Sequence, residues 1–212
     1  MKKIVLLLIT LIPSLLFSQN LRFSIIGDTQ ISWMVPDKGT ISGEGPVVGL
    51  NAGMGMDKYF AENYAFSLGL TISNLGGKLN YPDSLVYQDK TIPPHSTITY
   101  KLQYISIPVG LKFKTNEIGY ATYFANLGLN PMFNIRARVS DSEGITDMDN
   151  ISEDINPLNI NYFINLGIQY SLGGTTALIG GLGYSSGFTD VTKRAGDKIS
   201  INTVTIRLGI LF

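Results

Sequence analysis

The chain has 212 residues, and 16 Lys and Arg balance 16 Asp and Glu, so its formal net charge is zero. It has no cysteine and one histidine, which excludes a disulfide framework and a typical zinc site. No basic run interleaved with aromatic residues is present, so nothing supports nucleic-acid binding. Apolar residues make up 44% of the chain, with 23 glycines, 11 tyrosines and 10 phenylalanines, a composition suited to strongly curved strands.

The N-terminus has the three parts of an export signal. Lys2 and Lys3 precede a mostly apolar run, 4–12, which Pro13 ends, and the small residue Ser18 provides a cleavage site. We therefore predict a secretory signal peptide over residues 1–18 and a mature domain over 19–212. The alternative is a buried N-terminal helix. No other stretch approaches the roughly 18 consecutive apolar residues of a membrane-spanning helix.

Eight later segments alternate apolar and polar side chains with a period of two, which predicts strands with two different faces. They cover 21–35, 47–56, 64–75, 99–114, about 118–139, 160–172, 175–188 and 198–212. The last is the clearest, with Val204, Ile206, Leu208, Ile210 and Phe212 on one face and Thr203, Thr205, Arg207 and Gly209 on the other. One face for hydrocarbon and one for a polar interior is typical of a membrane barrel strand.

The connections between these segments alternate in length. Three are short, at 57–63, 115–117 and 173–174, and four are long and polar, at 36–46, 76–98, 140–159 and 189–197. This alternation predicts an all-β, eight-stranded, antiparallel up-and-down transmembrane β-barrel with short periplasmic turns and long extracellular loops. The alternative is a soluble, lipocalin-like barrel, whose outer face should be more polar.

Strand parity places four charged side chains in the lumen: Arg22, Asp28, Lys112 and Arg207. The first and last strands are neighbours in a closed barrel, so Arg22, Asp28 and Arg207 are expected to form one network. Eight strands leave an interior that side chains just fill, which favours a plug of paired charges. The alternative is a small ion path.

Aromatic residues cluster near the predicted strand ends, as in the interfacial girdles of membrane barrels. The periplasmic set is Tyr59, Phe60, Tyr64, Phe113, Tyr120, Tyr170 and Phe212, and the extracellular set is Trp33, Tyr100, Phe133, Tyr162, Tyr184 and Phe188. Stacking against a ligand is the alternative interpretation of these positions.

Catalytic and metal-binding chemistry has little support. His95 precedes Ser96 in an extracellular loop that also carries Asp83 and Asp89, but nothing in the spacing requires a catalytic pair, and a solvated loop histidine is favoured. The acidic stretch 141–154 offers oxygens to calcium without the EF-hand pattern, so surface solvation is favoured there. We assign no catalytic, cofactor or metal residue and predict a protein that is not an enzyme.

The segment 102–113 resembles a strand of the PorT-like outer-membrane β-barrel family of Bacteroidota. Leu102, Tyr104, Ile107, Pro108 and Lys112 match the family's pattern, whereas Ile105 and Val109-Gly110 depart from it. The resemblance implies an outer-membrane location, and some members serve protein secretion and gliding. Pro108 removes a ladder hydrogen bond and predicts a bulge in the barrel wall.

The sequence thus predicts a non-enzymatic outer-membrane protein with a filled lumen, serving as a structural or envelope- and secretion-associated component. Its expected partners are outer-membrane lipid and a protein docked on the extracellular loops or periplasmic rim. Two alternatives remain open: a narrow, porin-like passive pore, and a lipid-acting outer-membrane enzyme.

Overall fold

The computed structural model describes residues 20–37, 41–87, 90–194 and 198–212. Eight long strands dominate this part of the chain. They are β1 (Leu21–Pro36), β2 (Val47–Ala61), β3 (Tyr64–Asn80), β4 (Thr97–Ser106, continued as Val109–Lys114), β5 (Ala121–Asp141), β6 (Leu158–Gly173), β7 (Thr176–Gly187) and β8 (Ile199–Leu211).

The eight strands form a closed ring. Each pairs antiparallel with the next along the chain, and β8 returns to β1, where Asp28 lies opposite Arg207. Closure leaves no open edge, so backbone groups are paired within the sheet, as hydrocarbon requires. The predicted up-and-down barrel is confirmed.

The predicted alternation of connection lengths is also confirmed. Two residues join β2 to β3 and β6 to β7, and residues 115–120 join β4 to β5, whereas the other connections are long. The long ones carry a strand on β3 (Ser42–Gly45), a hairpin (Leu85–Tyr87 and Lys90–Ile92), a short strand on β5 (Asp149–Asn150) and a 3-10 turn (Ser152–Asp154). Within the described ranges, no helix is long and apolar enough to cross a membrane. The predicted signal peptide, 1–18, lies outside them.

A band of exposed apolar side chains encircles the barrel. On β2, Val48 is 70% exposed and Leu50 is 63% exposed, and on β8 Leu208 is 64% exposed, while the residues between them turn inwards. Such exposure would be unfavourable in water but suits contact with lipid. The predicted outward faces of the strands are therefore confirmed.

Above this band the pattern inverts, and the barrel has an apolar core of its own. On β4, Val109 and Leu111 face outwards, but Ile98, Tyr100 and Leu102 face inwards and are buried. The core comprises Met34, Ile41, Leu75, Leu79, Tyr81, Leu85, Ile92, Ile98, Tyr100, Leu102, Tyr104, Met132, Ala137, Val139, Ile151, Ile155, Val191, Ile199 and Ile201. The outer part of the barrel is thus packed like a soluble β-protein, a feature not expected from the alternation of apolar and polar residues.

The predicted bulge at Pro108 is wrong. Both Ser106 and Val109 keep the same register with β3, opposite Thr71 and Leu68, so no residue is inserted between them. Gly69, directly opposite, makes room for the proline ring, because a Cβ there would lie 2.8 Å from Pro108 Cγ. The register shift instead falls between β4 and β5, at Gln103 and Tyr104.

Candidate functional site in the lumen

A buried ion pair joins the first and last strands. Arg207 donates from Nη2 to Asp28 Oδ2 at 3.0 Å, and its Nε lies 3.3 Å from both carboxylate oxygens. The Asp28 side chain is fully buried and that of Arg207 is 19% exposed. A charge buried in this way is stable when it is paired and hydrogen-bonded.

Hydrogen bonds extend this pair across three further strands. Asn51 Nδ2 donates to Asp28 Oδ2 at 2.8 Å, and Ser73 Oγ donates to Asn51 Oδ1 at 2.7 Å. Ser106 Oγ then donates to Ser73 Oγ at 3.3 Å. These side chains come from β8, β1, β2, β3 and β4 in turn, so one polar network spans five adjacent strands of the lumen.

A second ion pair lies nearer the periplasmic end. Lys112 Nζ donates to Asp57 Oδ2, and both side chains are less than a tenth exposed. The ammonium group also lies 4.7 Å from the centroid of the Phe124 ring, a favourable cation–π contact. Sequence parity placed Lys112 in the lumen correctly but assigned Asp57 to a turn, because β2 was expected to end at Met56.

Arg22 does not join the network predicted for it. Its Nη1 donates to the Thr175 carbonyl oxygen at 2.8 Å, at the periplasmic mouth of the barrel. Arg22 and Asp28 share a face of β1, but six residues of strand separate them by about 20 Å, beyond the reach of one side chain. Arg22 lines a mouth cavity of about 120 Å³ together with Tyr59 and Lys114.

The lumen between these groups is almost filled. The cavity that Asp57, Lys112 and Arg207 help to line has a volume of about 60 Å³, which is room for only a few water molecules. On the extracellular side, the apolar core closes the same lumen with side chains such as Tyr100 and Tyr104. Buried ion pairs therefore occupy the lumen at one level, and packed apolar side chains occupy it at the next level outwards.

Aromatic girdles flank the lipid-facing band at both ends. The rings of Tyr162 and Phe188 lie 5.2 Å apart on the extracellular side, and those of Tyr64 and Phe113 lie 5.6 Å apart on the periplasmic side. Two of the predicted girdle residues are corrected. Tyr59 faces the lumen, where Lys114 lies over its ring, and Tyr100 lies in the apolar core.

The structure does not bring the histidine and its proposed partners together. His95 is exposed with a φ of 62°, and its backbone N–H donates to the Tyr81 carbonyl oxygen at 2.8 Å. Ser96 is buried, Asp83 is exposed, and Asp89 falls outside the described residues. In the part of the chain that the structure describes, no hydrogen bond joins the His95 imidazole to Ser96 or Asp83.

The acidic loop after β5 is organised by one carboxylate. Asp141 accepts hydrogen bonds from the backbone N–H groups of Glu143, Ile145 and Thr146 and from the Thr146 hydroxyl. Desolvation raises the pKa of the Asp141 carboxyl, but these hydrogen bonds outweigh it and leave the pKa below its usual value. Across the described ranges, no three His, Cys, Asp or Glu side chains are grouped to hold a metal ion.

These features define a class of protein: an outer-membrane β-barrel. Residues 17–193 match the family described as outer membrane protein beta-barrel domain, so the chain belongs to this family and resides in the outer membrane. No curated protein matches the chain in sequence.

Solved structures that match the chain include proteins from three bacterial groups. Neisserial surface protein A matches with a TM-score of 0.53 and 13% identity over 89% of this chain and 95% of that one. OprG from Pseudomonas aeruginosa has a TM-score of 0.46 and 12% identity over 91% and 96% of the two chains. Ail from Yersinia pestis has a TM-score of 0.45 and 14% identity over 90% and 98%. Identities this low show likeness of fold alone, and only the first score exceeds 0.5.

Proposed function

We propose that the protein is a non-conducting, non-enzymatic component of the outer-membrane envelope that offers its extracellular loops or periplasmic rim to a partner. The carrying observation is the obstruction of the lumen at two levels. Buried ion pairs occupy the membrane part, and a packed apolar core occupies the part above it. An ion crossing this path would have to displace both, which disfavours the porin-like alternative.

The PorT-like assignment within the family is also part of this proposal. Three of the residues that match the family's pattern make contacts in the barrel interior, and these contacts explain why the pattern needs those residue types. Tyr104 Oη accepts from Asn159 Nδ2 at 3.3 Å, Pro108 packs over Gly69, and Lys112 pairs with Asp57. A motif that maintains a closed interior agrees with a role in envelope assembly or secretion rather than in passive transport.

Potassium flux across vesicles with a measured content of folded barrel tests the closed lumen. We expect the wild-type protein to give no more flux than empty vesicles. The double variant D57S/K112S removes the lower ion pair and should also remain closed, because the apolar core lies intact above it. A steady flux through the wild-type protein would overturn the proposal and favour the pore. Flux through the double variant alone would assign closure to the ion pair rather than to the core.

A further inference from the structure

A row of basic side chains covers one side of the outer wall, just above the lipid-facing band. Its members face outwards from the upper parts of three adjacent strands, where the intervening Leu79, Leu102 and Ala137 face inwards and are buried. This basic row consists of Lys78 on β3, Lys101 on β4, and Arg136 and Arg138 on β5.

No carboxylate forms an ion pair with the basic row in the described part of the chain. The nearest strand of the acidic loop places Asp149 opposite Val139, next to Arg138, but the Asp149 carboxylate pairs with Lys90 at 2.7 Å. Lys101 lies directly opposite Arg138, and like charges in that relation repel. Among the residues that the structure describes, none of the four has a carboxylate within 4.0 Å. Lys101 Nζ instead contacts the weak acceptor Met148 Sδ at 3.6 Å. The strand segments 72–80, 97–106 and 131–140 contain no acidic residue, so an external anion would relieve the repulsion.

The basic row begins at the depth of the lipid headgroups and extends outwards from it. Ile105 and Phe113 bound the apolar face of β4 and lie eight residues apart, about 26 Å along the strand and about 20 Å across the membrane at the usual tilt. Arg136 pairs with Gln103, two residues beyond Ile105, and Lys101 lies two further on. By this measure Arg136 lies about 5 Å above the hydrocarbon, at the level of the headgroups, and Lys101 and Arg138 lie about 10 Å above it. Lys78 lies opposite Thr99, about 15 Å above the hydrocarbon.

The surface between these cations is shaped as well as charged. A depression of about 240 Å³ lies among Lys101, Gln103, Arg136 and Arg138. The Gln103 amide donates from Nε2 to Asn74 Oδ1 at 3.1 Å, which fixes polar groups on its floor. The aromatic cluster of Tyr162, Tyr184 and Phe188 lies on β6 and the β7 end instead. The basic row thus belongs to one side of the barrel only.

We infer that the outer face of β3, β4 and β5 binds the phosphate-bearing headgroup of an outer-leaflet glycolipid. The guanidinium groups of Arg136 and Arg138 match phosphate oxygens in pairs, and Lys101 adds a point charge. Ile72 and Ile105 lie directly opposite each other just below, and Phe133 lies opposite Ile105, so acyl chains of the same molecule meet a continuous apolar surface. That continuity selects an amphipathic lipid over a soluble anion.

Native mass spectrometry of the full, folded chain in detergent tests this inference with bisphosphorylated lipid A as the probe. The variant K101Q/R136Q/R138Q neutralises the row, and the control K58Q/K193Q/K198Q removes the same charge elsewhere. We expect wild type and control to retain lipid A alike and the row variant to bind about tenfold more weakly or worse. Heat-modifiable gel mobility verifies that all three proteins are folded.

Dephosphorylated lipid A provides a test that needs no variant, and wild type should bind it as weakly as the row variant binds the intact lipid. Undiminished binding of lipid A by the row variant would overturn the inference. Equal loss in the control would reduce the effect to net charge and would also overturn it. Complete displacement of lipid A by an equal concentration of inorganic phosphate would show an anion site without lipid selectivity.

Discussion

A single carboxylate illustrates how the lumen tolerates charge. Asp28 has no exposed side-chain surface, so folding removes its carboxyl group from water. Arg207 and Asn51 replace that hydration with hydrogen bonds to both carboxylate oxygens. The pair therefore adds little net stability, but each residue requires the other, because either partner alone would be a buried charge without compensation.

Replacing Arg207 by Leu should destabilise the barrel by about 3–5 kcal/mol, because Asp28 stays buried without its partner. The matched control is Arg22→Leu, which loses one exposed hydrogen bond and should cost no more than about 1 kcal/mol. Urea unfolding in lipid vesicles, followed by the fluorescence of Trp33, measures both. The double change D28L/R207L should recover most of the loss, and a single variant as stable as wild type would contradict the pairing.

Parity predicted which charges enter the lumen, and the closure of the first strand on the last predicted that Asp28 and Arg207 meet. The sequence did not predict that Lys112 pairs with Asp57 or that Arg22 stays apart. A period of two assigns Asp28, Lys112 and Arg207 to the inside, and the structure agrees. Partners depend on the stagger between strands, which leaves no trace in the sequence of one strand. Asp57 was missed for a further reason: Asp57-Lys58 resembles the polar start of a turn, although β2 continues to Ala61.

The strands of this barrel run through lipid and continue into the water outside it. Their apolar residues face outwards in the lipid and inwards above it. On β8, Ile199 and Ile201 face the core, whereas Val204, Ile206, Leu208 and Ile210 face lipid. Tyr100 was expected in an outer girdle because aromatic residues cluster near the strand ends, but it lies on the inward face of β4 and is buried in the core. The position along a strand where the apolar residues change from the inward to the outward face marks the membrane surface. This change can be recognised in the sequence if each strand is expected to have one part in lipid and one part in water.

Close packing on β3 and β4 should make Gly69 sensitive to a single methyl group. Gly69→Ala would place Cβ 2.8 Å from Pro108 Cγ, and overpacking of this kind costs about 1–3 kcal/mol. The control is Gly27→Ala, where nothing lies within 4 Å of the added Cβ, so its effect should be neutral or slightly stabilising. The same urea assay compares them. If Gly69→Ala destabilises the barrel as expected, the additional change Pro108→Ala should restore stability. Equal stability of Gly69→Ala and Gly27→Ala would instead mean that the proline ring moves aside for the added methyl group.

At the scale of the whole molecule, stability depends on closure of the ring. Every strand has two neighbours, and the last ladder joins residues more than 160 positions apart, from Ser24–Leu211 to Pro36–Ile199. A ring of this kind has no edge from which a detergent or another chain can open it strand by strand. Because β1 and β8 pair with each other, neither can be lost without opening the ring.

Protein taken from outer membranes should run as a fast band in unheated SDS and slow down after boiling, because the closed barrel resists SDS until heat opens it. A chain ending at residue 198 lacks β8, cannot close, and should show one mobility with or without heating. A single mobility for the intact chain, with the protein in the soluble fraction, would contradict the membrane barrel and favour the lipocalin-like alternative.

The apolar core above the membrane also determines where this protein is free to vary. Since β3, β4 and β5 continue outwards around packed side chains such as Ile98 and Val139, the long loops leave from a stiff rim and not from the lipid surface. Exposed tips such as 82–84 and 142–145 add nothing to that packing. Their residues can change, and their length can drift, without disturbing the rim. The loop tips, which antibodies or phages would contact first, can therefore change in sequence while the barrel below stays constant.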